Sequence, residues 1–486
     1  MSPQFDNSYA QLPERFYARQ APVPVADPAL IRVNHGLAQQ LGIDPDWLES
    51  EEGVNTIAGN HVPSGADPIA TVYAGHQFGS WNPRLGDGRA ILLGEVIGRD
   101  GERYDVQLKG SGITPFSRSG DGRAPLGPVL REYLVSEAMA ALGIPSSRTL
   151  AAVTTGEPVY REQRLAGGVL IRVAKSHIRI GTLQYFASVQ DHEGLKLLID
   201  HVIARHYPGI AEADNAVLAM FEQVMCKQAE LIAHWQAVGF IHGVMNTDNM
   251  LLSGETIDFG PCAFMDAYDS AAVFSSIDHG SRYAYRNQPA IAHWNLACLV
   301  QTLLPFIADD EEAAVELAQA TLDTFPERYV EAYFARLHDK FGLGTEEDDD
   351  KTLMQDFLDL LETGQLDFTL AFRRLAELPL GSDDIKPLFD FPETFDDWLS
   401  RWRERCARES ISAEQRQQKM MAVNPAFIAR NHLVEQAIAE AYGGDFSFFQ
   451  RLLERLENPF EYAADDADLA TPPAPDQVVQ QTFCGT

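Results

Sequence analysis

Residues 240–260 read FIHGVMNTDNMLLSGETIDFG, and this stretch decides which fold is expected for the whole chain. Asn249 and Asp258 place an amide oxygen and a carboxylate close together in the sequence. Magnesium prefers oxygen ligands and keeps several waters, so these two groups, completed by nucleotide phosphates, suit it. We therefore expect Asn249 and Asp258 to bind Mg²⁺, or Mn²⁺ in its place. The alternative is that both are ordinary turn residues flanking a buried strand.

The spacing of this stretch resembles that of protein kinases. In kinases the catalytic loop H-R-D-x-x-x-x-N precedes the metal-binding turn DFG, and here His242 and Asn249 hold the matching positions before Asp258. One position differs, because Val244 stands where kinases have the catalytic aspartate, and valine cannot accept a proton. The stretch therefore indicates either an inactive relative of kinases or an enzyme that uses ATP differently. We expect His242 to pack and hydrogen-bond within the loop and to take no part in catalysis.

Strand patterns precede this stretch and helix patterns follow it. Residues 89–98 and 102–110 are short, rich in branched side chains and separated by a hairpin-like turn, and 167–177 read as another strand. Residues 128–143 repeat apolar side chains at helical spacing, and the pattern turns helical from about Glu193. We expect an α+β, two-lobed protein-kinase-like fold with N-terminal and C-terminal helical extensions. Its expected parts are an N-terminal extension (1–65), a strand-rich N-lobe that clamps the nucleotide (66–190), a helical C-lobe with the catalytic loop and DFG (191–345), and a C-terminal helical extension with a loose tail (346–486).

Two residues of the strand-rich region are predicted to form an ion pair. Lys109 ends the alternating strand YDVQLK, and Glu132 lies on the helix that follows. Kinases use such a pair to fix an ammonium group on phosphate oxygens. Taken singly, Lys109 is typical of an exposed strand end and Glu132 of a solvent-facing helix position.

Two glycine-rich loops carry further candidates for nucleotide contact. The loop RLGDGR (84–89) combines closely spaced glycines with Arg89, although it is not the kinase loop G-x-G-x-x-G. The loop SGDGR (119–123) offers Asp121 and Gly122. Each loop is a weak signal by itself.

The remaining basic candidates are Arg172 and Arg179. Arg172 lies within an apolar strand, where a cation is costly unless an anion meets it. An ion pair with a carboxylate is the alternative explanation. Several cations that converge in so acidic a chain favour a polyphosphate site.

Composition excludes several classes of partner. The 486 residues carry a net charge of −32, which argues against nucleic acid because phosphate backbones attract basic surfaces. The first residues lack the apolar core of a signal peptide, and no run of about 18 apolar residues is evident, so we expect no membrane span. The five cysteines are scattered and lack metal-ligand spacing, as a reducing compartment permits. We expect a cytoplasmic protein.

A longer set of motifs resembles the selenoprotein O family nearly from end to end. The motifs are YAGHQFG (73–79), NPRLGDGRAILLGE, QLKGSGITPFSRSGDGRAPLGPVLREYLVSEAM, IRVAKSHIRIGT, HGVMNTDNM, IDFGPCAF and NPAFIARNHL. The resemblance implies a kinase-fold protein adenylyltransferase that binds ATP in the reversed direction. Such an enzyme transfers AMP to Ser, Thr or Tyr hydroxyls of target proteins and releases pyrophosphate. The chain itself is a further candidate acceptor, and UTP a candidate second nucleotide.

The resemblance also implies roles for individual residues. Asp248 would accept the proton, Glu132 would orient Lys109, and Asn249 with Asp258 would hold the metal. The nucleotide would contact Gly86, Gly88, Arg89, Lys109, Asp121, Gly122, Arg172, Arg179 and Asp258. For Asp248, the alternative is a loop carboxylate that caps backbone amides.

Two other functions stay open at this point. One is a phosphotransferase that uses Asp248 as a displaced base, and the other is a nucleotide-binding scaffold without turnover. Intact metal ligands weigh against the scaffold. Because some family members carry selenocysteine near the C-terminus, a disulfide between Cys484 and Cys262 is a further hypothesis.

Overall fold

The structure is a computed structural model that describes residues 2–382, 384–389 and 392–483. Within these residues the strands are β1 (Tyr17–Arg19), β2 (Ala29–Val33), β3 (Ile69–Thr71), β4 (Gly75–Gln77), β5 (Ser80–Asn82), β6 (Ala90–Ile97), β7 (Arg103–Lys109), β8 (Ala124–Pro125), β9 (Arg148–Tyr160), β10 (Arg164–Ala174), β11 (Phe240–Ile241) and β12 (Ala263–Phe264). The main sheet has the order β1-β3-β6-β7-β10-β9-β2, and β8 pairs with β10. Its strand pairs are antiparallel. The chain is thus a mixed α and β protein, as the α+β expectation requires.

The helices of the described residues concentrate in the second half of the chain. They are α1 (His35–Gln40), α2 (Pro45–Glu49), α3 (Glu51–Ala58), α4 (Leu126–Ala141), α5 (Ile180–Ser188), α6 (His192–His206), α7 (Ala216–Ala237), α8 (Gln288–Ile307), α9 (Glu311–Leu322), α10 (Phe325–Phe341), α11 (Asp350–Gly364), α12 (Phe368–Leu375), α13 (Pro392–Ala407), α14 (Ala413–Met421), α15 (Asn431–Tyr442), α16 (Ser447–Leu456) and α17 (Ala467–Ala470). The large apolar core runs from the sheet and α4 into α7 and α8.

The hairpin of β6 and β7 forms where the sequence predicts it. The two strands pair from Ala90 and Lys109 to Ile97 and Arg103, and Gly101 in the turn has φ +80°. A left-handed residue is what a tight turn between two twisted strands requires, and glycine adopts it without strain. The hairpin brings Lys109 to the end of β7 that faces Asp258.

Strand β9 was not predicted from the sequence, although it is the longest strand of the described residues. Its residues 149–153 are all buried, so the segment shows no alternation of polar and apolar side chains. A strand that is covered on both faces loses the two-residue period on which sequence reading depends. In the fold, β9 pairs with β10 and β2 and so backs the strand that carries Arg172.

Helix α4 lies between the sheet and the C-terminal helices. The ring of Tyr133 packs edge-on against Phe449 of α16, with 5.7 Å between centroids. The backbone N–H of Gly127 donates to Tyr442 Oη of α15 at 3.0 Å, and Arg131 pairs with Glu435. The C-terminal extension therefore holds in place the helix that presents Glu132.

The described tail is mostly exposed over residues 471–483 but contacts the body of the protein at Thr482. Thr482 is buried, and its hydroxyl donates to the carbonyl of Pro261 at 2.5 Å. Its backbone N–H donates to Phe274 O at 2.7 Å. The tail therefore returns to the segment that follows the DFG turn.

One helical stretch, Tyr285–Ile307, is long and apolar enough to cross a membrane by length and composition alone. No apolar run of this length was expected from the sequence. Helix α8, which makes up most of the stretch, packs against α5, α7 and α9, and more than half of the apolar window is buried. These contacts are typical of the core helix of a soluble fold.

Candidate active site

A cavity of about 700 Å³ lies between the sheet and the loop around residues 244–258. Its walls include two glycine-rich loops, the ends of β7 and β10, and the catalytic loop. Nearly all the residues that the sequence singled out line it, namely Gly86, Gly88, Arg89, Lys109, Asp121, Gly122, Arg172, Arg179, Asp248, Asn249 and Asp258. Glu132 lies behind the wall and reaches the cavity through Lys109.

Lys109 and Glu132 form a buried ion pair at the back of the cavity. Lys109 Nζ also lies 3.3 Å from Asp258 Oδ1. Lys109 is 8% exposed and Glu132 is 2% exposed. The alternative interpretation, an exposed lysine at a strand end and a solvent-facing glutamate on a helix, is therefore wrong. The pair holds the ammonium group beside the carboxylate of the DFG turn.

Arg172 joins the same network from β10. Its Nη1 lies 3.4 Å from Glu132 Oε1, and its Nη2 donates to Gln107 Oε1 at 2.6 Å. The carboxylate that the buried arginine needs is therefore Glu132, which serves two cations at once. Because Lys and Arg residues outnumber Asp and Glu residues in its lining, the cavity keeps an excess of positive charge that suits phosphate.

Asp258 is the carboxylate on which four cations converge. Burial by itself would raise its pKa, but the charges of Lys109, Arg89, Arg172 and Arg179 hold the pKa of Asp258 below its usual range. Its backbone has φ +69°, a left-handed conformation that is uncommon outside glycine and often marks functional turns. The carboxylate is therefore ionised at neutral pH and aimed into the cavity by a strained turn.

Asn249 supplies the second predicted metal ligand. Its amide nitrogen donates to Val244 O at 3.0 Å, which leaves the amide oxygen as the free polar atom. The described residues contain no group of three or more His, Cys, Asp or Glu placed to hold a metal. One carboxylate and one amide oxygen thus fit a hard cation that takes its other ligands from phosphates and water.

Asp248 precedes Asn249 in a short 3₁₀ turn, Thr247–Asn249. It is 6% exposed, and burial raises the pKa of its carboxyl to about 6, although the nearby Arg179 charge acts in the opposite direction. Gln77 Nε2 donates to Asp248 Oδ2 at 3.2 Å, whereas Oδ1 has no hydrogen-bond partner in the described part of the chain. A buried carboxylate oxygen without a donor is costly, so this atom is a candidate for contact with a substrate.

Arg179 connects the catalytic loop to the first glycine-rich loop. Its Nη1 donates to the backbone carbonyl of Asp248 at 2.6 Å, and its Nη2 lies 3.7 Å from Asp87 Oδ1. The guanidinium also stacks over the ring of Tyr73, 4.4 Å from the centroid. It therefore fixes the loop and still lines the cavity.

The chain is similar to known proteins over nearly its whole length. A family model described as "Protein adenylyltransferase SelO" matches residues 1–457. The protein nucleotidyltransferase YdiU of Bradyrhizobium diazoefficiens is 58% identical over 485 residues, which cover 99% of each chain. Those of Rhodopseudomonas palustris (strain BisB5) and Rhizobium etli (strain CIAT 652) are each 57% identical and cover 99% of this chain and 99% and 97% of their own.

The chain belongs to the SelO family. Its predicted family is thus confirmed, and the chain is a nucleotidyltransferase enzyme.

Asp87 is a residue of this SelO site that sequence reasoning missed. It is buried, accepts hydrogen bonds from the backbone N–H and the hydroxyl of Thr71, and faces Arg179. Asp87 lies between Gly86 and Gly88, but only the two glycines and Arg89 of this loop were predicted to contact the nucleotide. Because Asp87 neutralises part of the Arg179 charge, it sets the orientation of that guanidinium.

The glycines of the SelO loops have packing roles in addition to any contact with nucleotide. Gly86 has φ +84°, and a Cβ there would collide with the ring of Phe116. Gly122 has φ +67°, and a Cβ there would collide with the backbone of Gly112. Both glycines thus lie against the intervening segment 112–116, too closely for a side chain to fit.

Asp121 and Arg89 differ in how they are held. Asp121 is half-exposed and pairs with Arg161, with 2.9 Å between Oδ2 and Nη1. Arg89 makes no ion pair or side-chain hydrogen bond within residues 2–382, 384–389 and 392–483. Arg89 is therefore a cation that is free to meet an anionic ligand in this SelO cavity.

His242 serves the loop as a scaffold. Its Nε2 lies 2.8 Å from Ile257 O, and the backbone N–H of Val244 donates to its Nδ1 at 3.3 Å. Its ring stacks on Trp235 with 5.3 Å between centroids. These contacts agree with the expected packing role.

The proposed disulfide concerns Cys262 and Cys484. Cys262 is buried beside the DFG turn, and burial raises the pKa of its thiol to about 12. Cys484 lies outside the described residues of this SelO chain.

Proposed function

We propose that the chain transfers AMP from ATP to Ser, Thr or Tyr hydroxyls of proteins and releases pyrophosphate, with Mg²⁺ or Mn²⁺ bound. The observation that carries this proposal is the free Oδ1 of Asp248, a buried carboxylate oxygen of a residue that lines the same cavity as Asn249 and Asp258. The same cavity presents a set of cations. A proton acceptor, metal ligands and phosphate-binding charges are the parts that nucleotidyl transfer needs.

In the proposed step the acceptor oxygen forms a bond to the α-phosphorus of ATP. The hydroxyl proton passes to Asp248, and the bond between the α-phosphorus and the pyrophosphate oxygen breaks with its electron pair on pyrophosphate. A bound metal ion would neutralise charge on the phosphates, and Asn249 and Asp258 would hold it. Asp248 lies immediately beside that site, four residues after Val244.

The cations of the cavity bind and neutralise the departing pyrophosphate. Lys109 and Arg172 are held by Glu132, Arg179 is held by the catalytic loop, and Arg89 is free. Charges fixed before the reaction stabilise developing negative charge without a cost of reorganisation. In this proposal Gly86, Gly88, Asp121 and Gly122 complete the nucleotide contacts.

We further propose that these parts have the two-lobed plan of protein kinases. The antiparallel sheet before the cavity and the helices after it support two lobes, which we propose at residues 66–190 and 191–345 with extensions at 1–65 and 346–486. The first extension adds the strands β1 and β2 to the sheet of the N-lobe. The free thiols of Cys226, Cys262, Cys298 and Cys406 are compatible with a cytoplasmic location.

The test uses ATP labelled at either the α- or the γ-phosphate, with the chain itself and casein as acceptors. We expect only the α-label to enter protein, with one pyrophosphate released for each AMP transferred. Transfer of the γ-label alone would indicate a phosphotransferase that uses Asp248 as its base. Absence of both labels from protein would indicate a scaffold. Parallel reactions with UTP and with Mn²⁺ define the nucleotide and metal preference.

The pH dependence of the reaction follows from the raised pKa of Asp248. The base acts only when ionised, and burial moves its pKa to about 6, so kcat/KM should fall about tenfold per pH unit below 6. It should be level above pH 7, because Asp258 stays ionised throughout. The measurement is kcat/KM for ATP between pH 5 and 8. A flat profile over that range would contradict the assignment of the base.

Replacement of Glu132 by Gln is expected to weaken ATP use and stability together. It removes the carboxylate that Lys109 and Arg172 share, which leaves buried cations without their partner. Loss of one partner of a buried pair costs about 3–5 kcal/mol, and ATP with Mg²⁺ should restore part of this because its phosphates replace the anion. The measurements are Tm with and without nucleotide and KM for ATP.

The matched control for this change is Glu102→Gln. It removes the exposed partner of the exposed Lys175, where the expected effect is below about 1 kcal/mol. Equal losses of stability and an equal rise in KM in both variants would contradict the role given to Glu132.

A further inference from the structure

The hairpin of β4 and β5 packs against the loop that carries Asp248. Three consecutive hairpin residues each donate a hydrogen bond to one of three consecutive loop side chains. The bonds are His76 N–H to Thr247 Oγ1 at 2.7 Å, Gln77 Nε2 to Asp248 Oδ2 at 3.2 Å, and Phe78 N–H to Asn246 Oδ1 at 3.0 Å. Two of them come from the backbone, and Gln77 alone contributes a side chain.

The hairpin is itself firmly anchored. The N–H of Ala74 donates to Gly181 O at 2.9 Å, and the side-chain amide of Gln184 lies 3.0 Å from His76 Nδ1. The His76 ring also packs between Trp81 and Trp294, with centroids 4.9 Å and 5.3 Å away. A donor carried on so constrained an element can fix the rotamer of the carboxylate that it meets.

The two oxygens of Asp248 have different surroundings. Oδ2 accepts from Gln77, and Oδ1 lies against Gly75, where an added Cβ would be 2.5 Å from it. Gly75 lies in the extended strand β4, so it is not required there for an unusual backbone conformation. Its lack of a side chain leaves the space that Oδ1 occupies.

We infer that Gln77 is a positioning residue for Asp248 and that Gly75 leaves the room that the free oxygen Oδ1 needs in order to meet the acceptor hydroxyl. The inference rests on the proposed function, in which Asp248 takes the proton of that hydroxyl. Gln77 holds one oxygen, and the absence of a side chain at Gly75 accommodates the other. Small errors in the placement of a reacting group cost large factors in rate, so the contact acts on turnover.

The first test compares Gln77→Met with the unchanged chain. Methionine keeps the length of the side chain and removes the N–H donor. We expect kcat for transfer of the α-label to casein and to the chain itself to fall about tenfold, whereas the Kd for ATP, measured by calorimetry, stays within about twofold. Gln77→Glu, which places a carboxylate against Asp248, should lower kcat at least as far.

Gly75→Ala tests the other half of the inference. Alanine fits the extended backbone, so the change acts by displacing the Asp248 carboxylate. We expect a fall in kcat of about tenfold without a change in ATP affinity. Ser80→Ala is the matched control, because Ser80 is exposed and pairs with Gln77 across the same hairpin; it should leave kcat unchanged.

A double variant separates positioning from general damage to the fold. In an Asp248→Asn background, Gln77→Met should have almost no further effect, since the contact acts only through the carboxylate. A full additional tenfold loss in that background, or wild-type kcat in Gln77→Met, would overturn the inference. If the unchanged chain transfers no α-label, the proposed function fails; if it does transfer and Gln77→Met is fully active, the inference alone fails.

Discussion

Replacement of Asp248 by Asn should lower kcat by about 10²–10⁴-fold, the contribution that a well-placed base makes. Asparagine has nearly the same shape and can still accept a hydrogen bond from Gln77, so the loop should keep its structure. The cations and the metal ligands are untouched, and the Kd for ATP should therefore stay within about twofold. The measurements are single-turnover transfer of the α-label and calorimetric binding of ATP.

The control for this change is Asp200→Asn, which removes an exposed carboxylate of α6 whose one ion-pair partner among the described residues is Lys196. It should transfer AMP at the rate of the unchanged chain. If Asp248→Asn keeps more than about a tenth of the wild-type kcat, another group accepts the proton. If it loses ATP binding as well, the residue serves the structure of the loop.

Replacement of Asp258 by Ala should lower transfer by at least about 10²–10³-fold with either metal, since it removes the carboxylate ligand and the charge that orders the phosphates. Its effect on binding should differ from its effect on turnover. Without Asp258, Lys109 and the nearby arginines lose a counter-charge. ATP without metal should then bind at least as tightly as it binds the unchanged chain.

The binding result distinguishes a metal ligand from an ordinary ion-pair partner. Affinity for ATP should rise on addition of Mg²⁺ in the unchanged chain and should become nearly independent of Mg²⁺ in Asp258→Ala. Calorimetry with and without EDTA measures both. Metal-dependent binding that survives in Asp258→Ala would contradict the assignment, whatever the loss of turnover.

The central residues could be predicted because their chemistry is local in sequence. Asn249 and Asp258 lie close along the chain, and the spacing from His242 repeats a known pattern. Lys109 and Glu132 required only that a strand should precede a helix in the expected order. In these cases one element of secondary structure separates the residues that meet.

Other parts of the site depend on contacts that no local pattern reveals. Gln77 and Asp248 are separated by 171 residues, and nothing in GHQFG says that its amide reaches the catalytic loop. Asp87 lies between two glycines, and its ion pair with Arg179 is not indicated by any sequence pattern. Such pairings become visible only once the sheet and the helices are packed together.

In the fold, too, the elements with a local sequence pattern were predicted and the contacts between distant residues were not. The hairpin of β6 and β7 consists of two short strands rich in branched side chains with a turn between them, so it was predicted nearly to the residue. Strand β9 is covered on both faces, and the docking of α15 and α16 on α4 joins residues more than 300 positions apart. Burial on both faces and contacts over such separations leave no periodic signal in the sequence.

The most direct test is a crystal structure with Mg²⁺ and an ATP analogue whose α,β-bridging oxygen is replaced by methylene. We predict that the α-phosphate lies nearest to Asp248 Oδ1, that the metal is bound by Asn249 and Asp258, and that the outer phosphates rest among Lys109 and the arginines. A terminal phosphate beside Asp248, with the adenosine end turned the other way, would contradict the account.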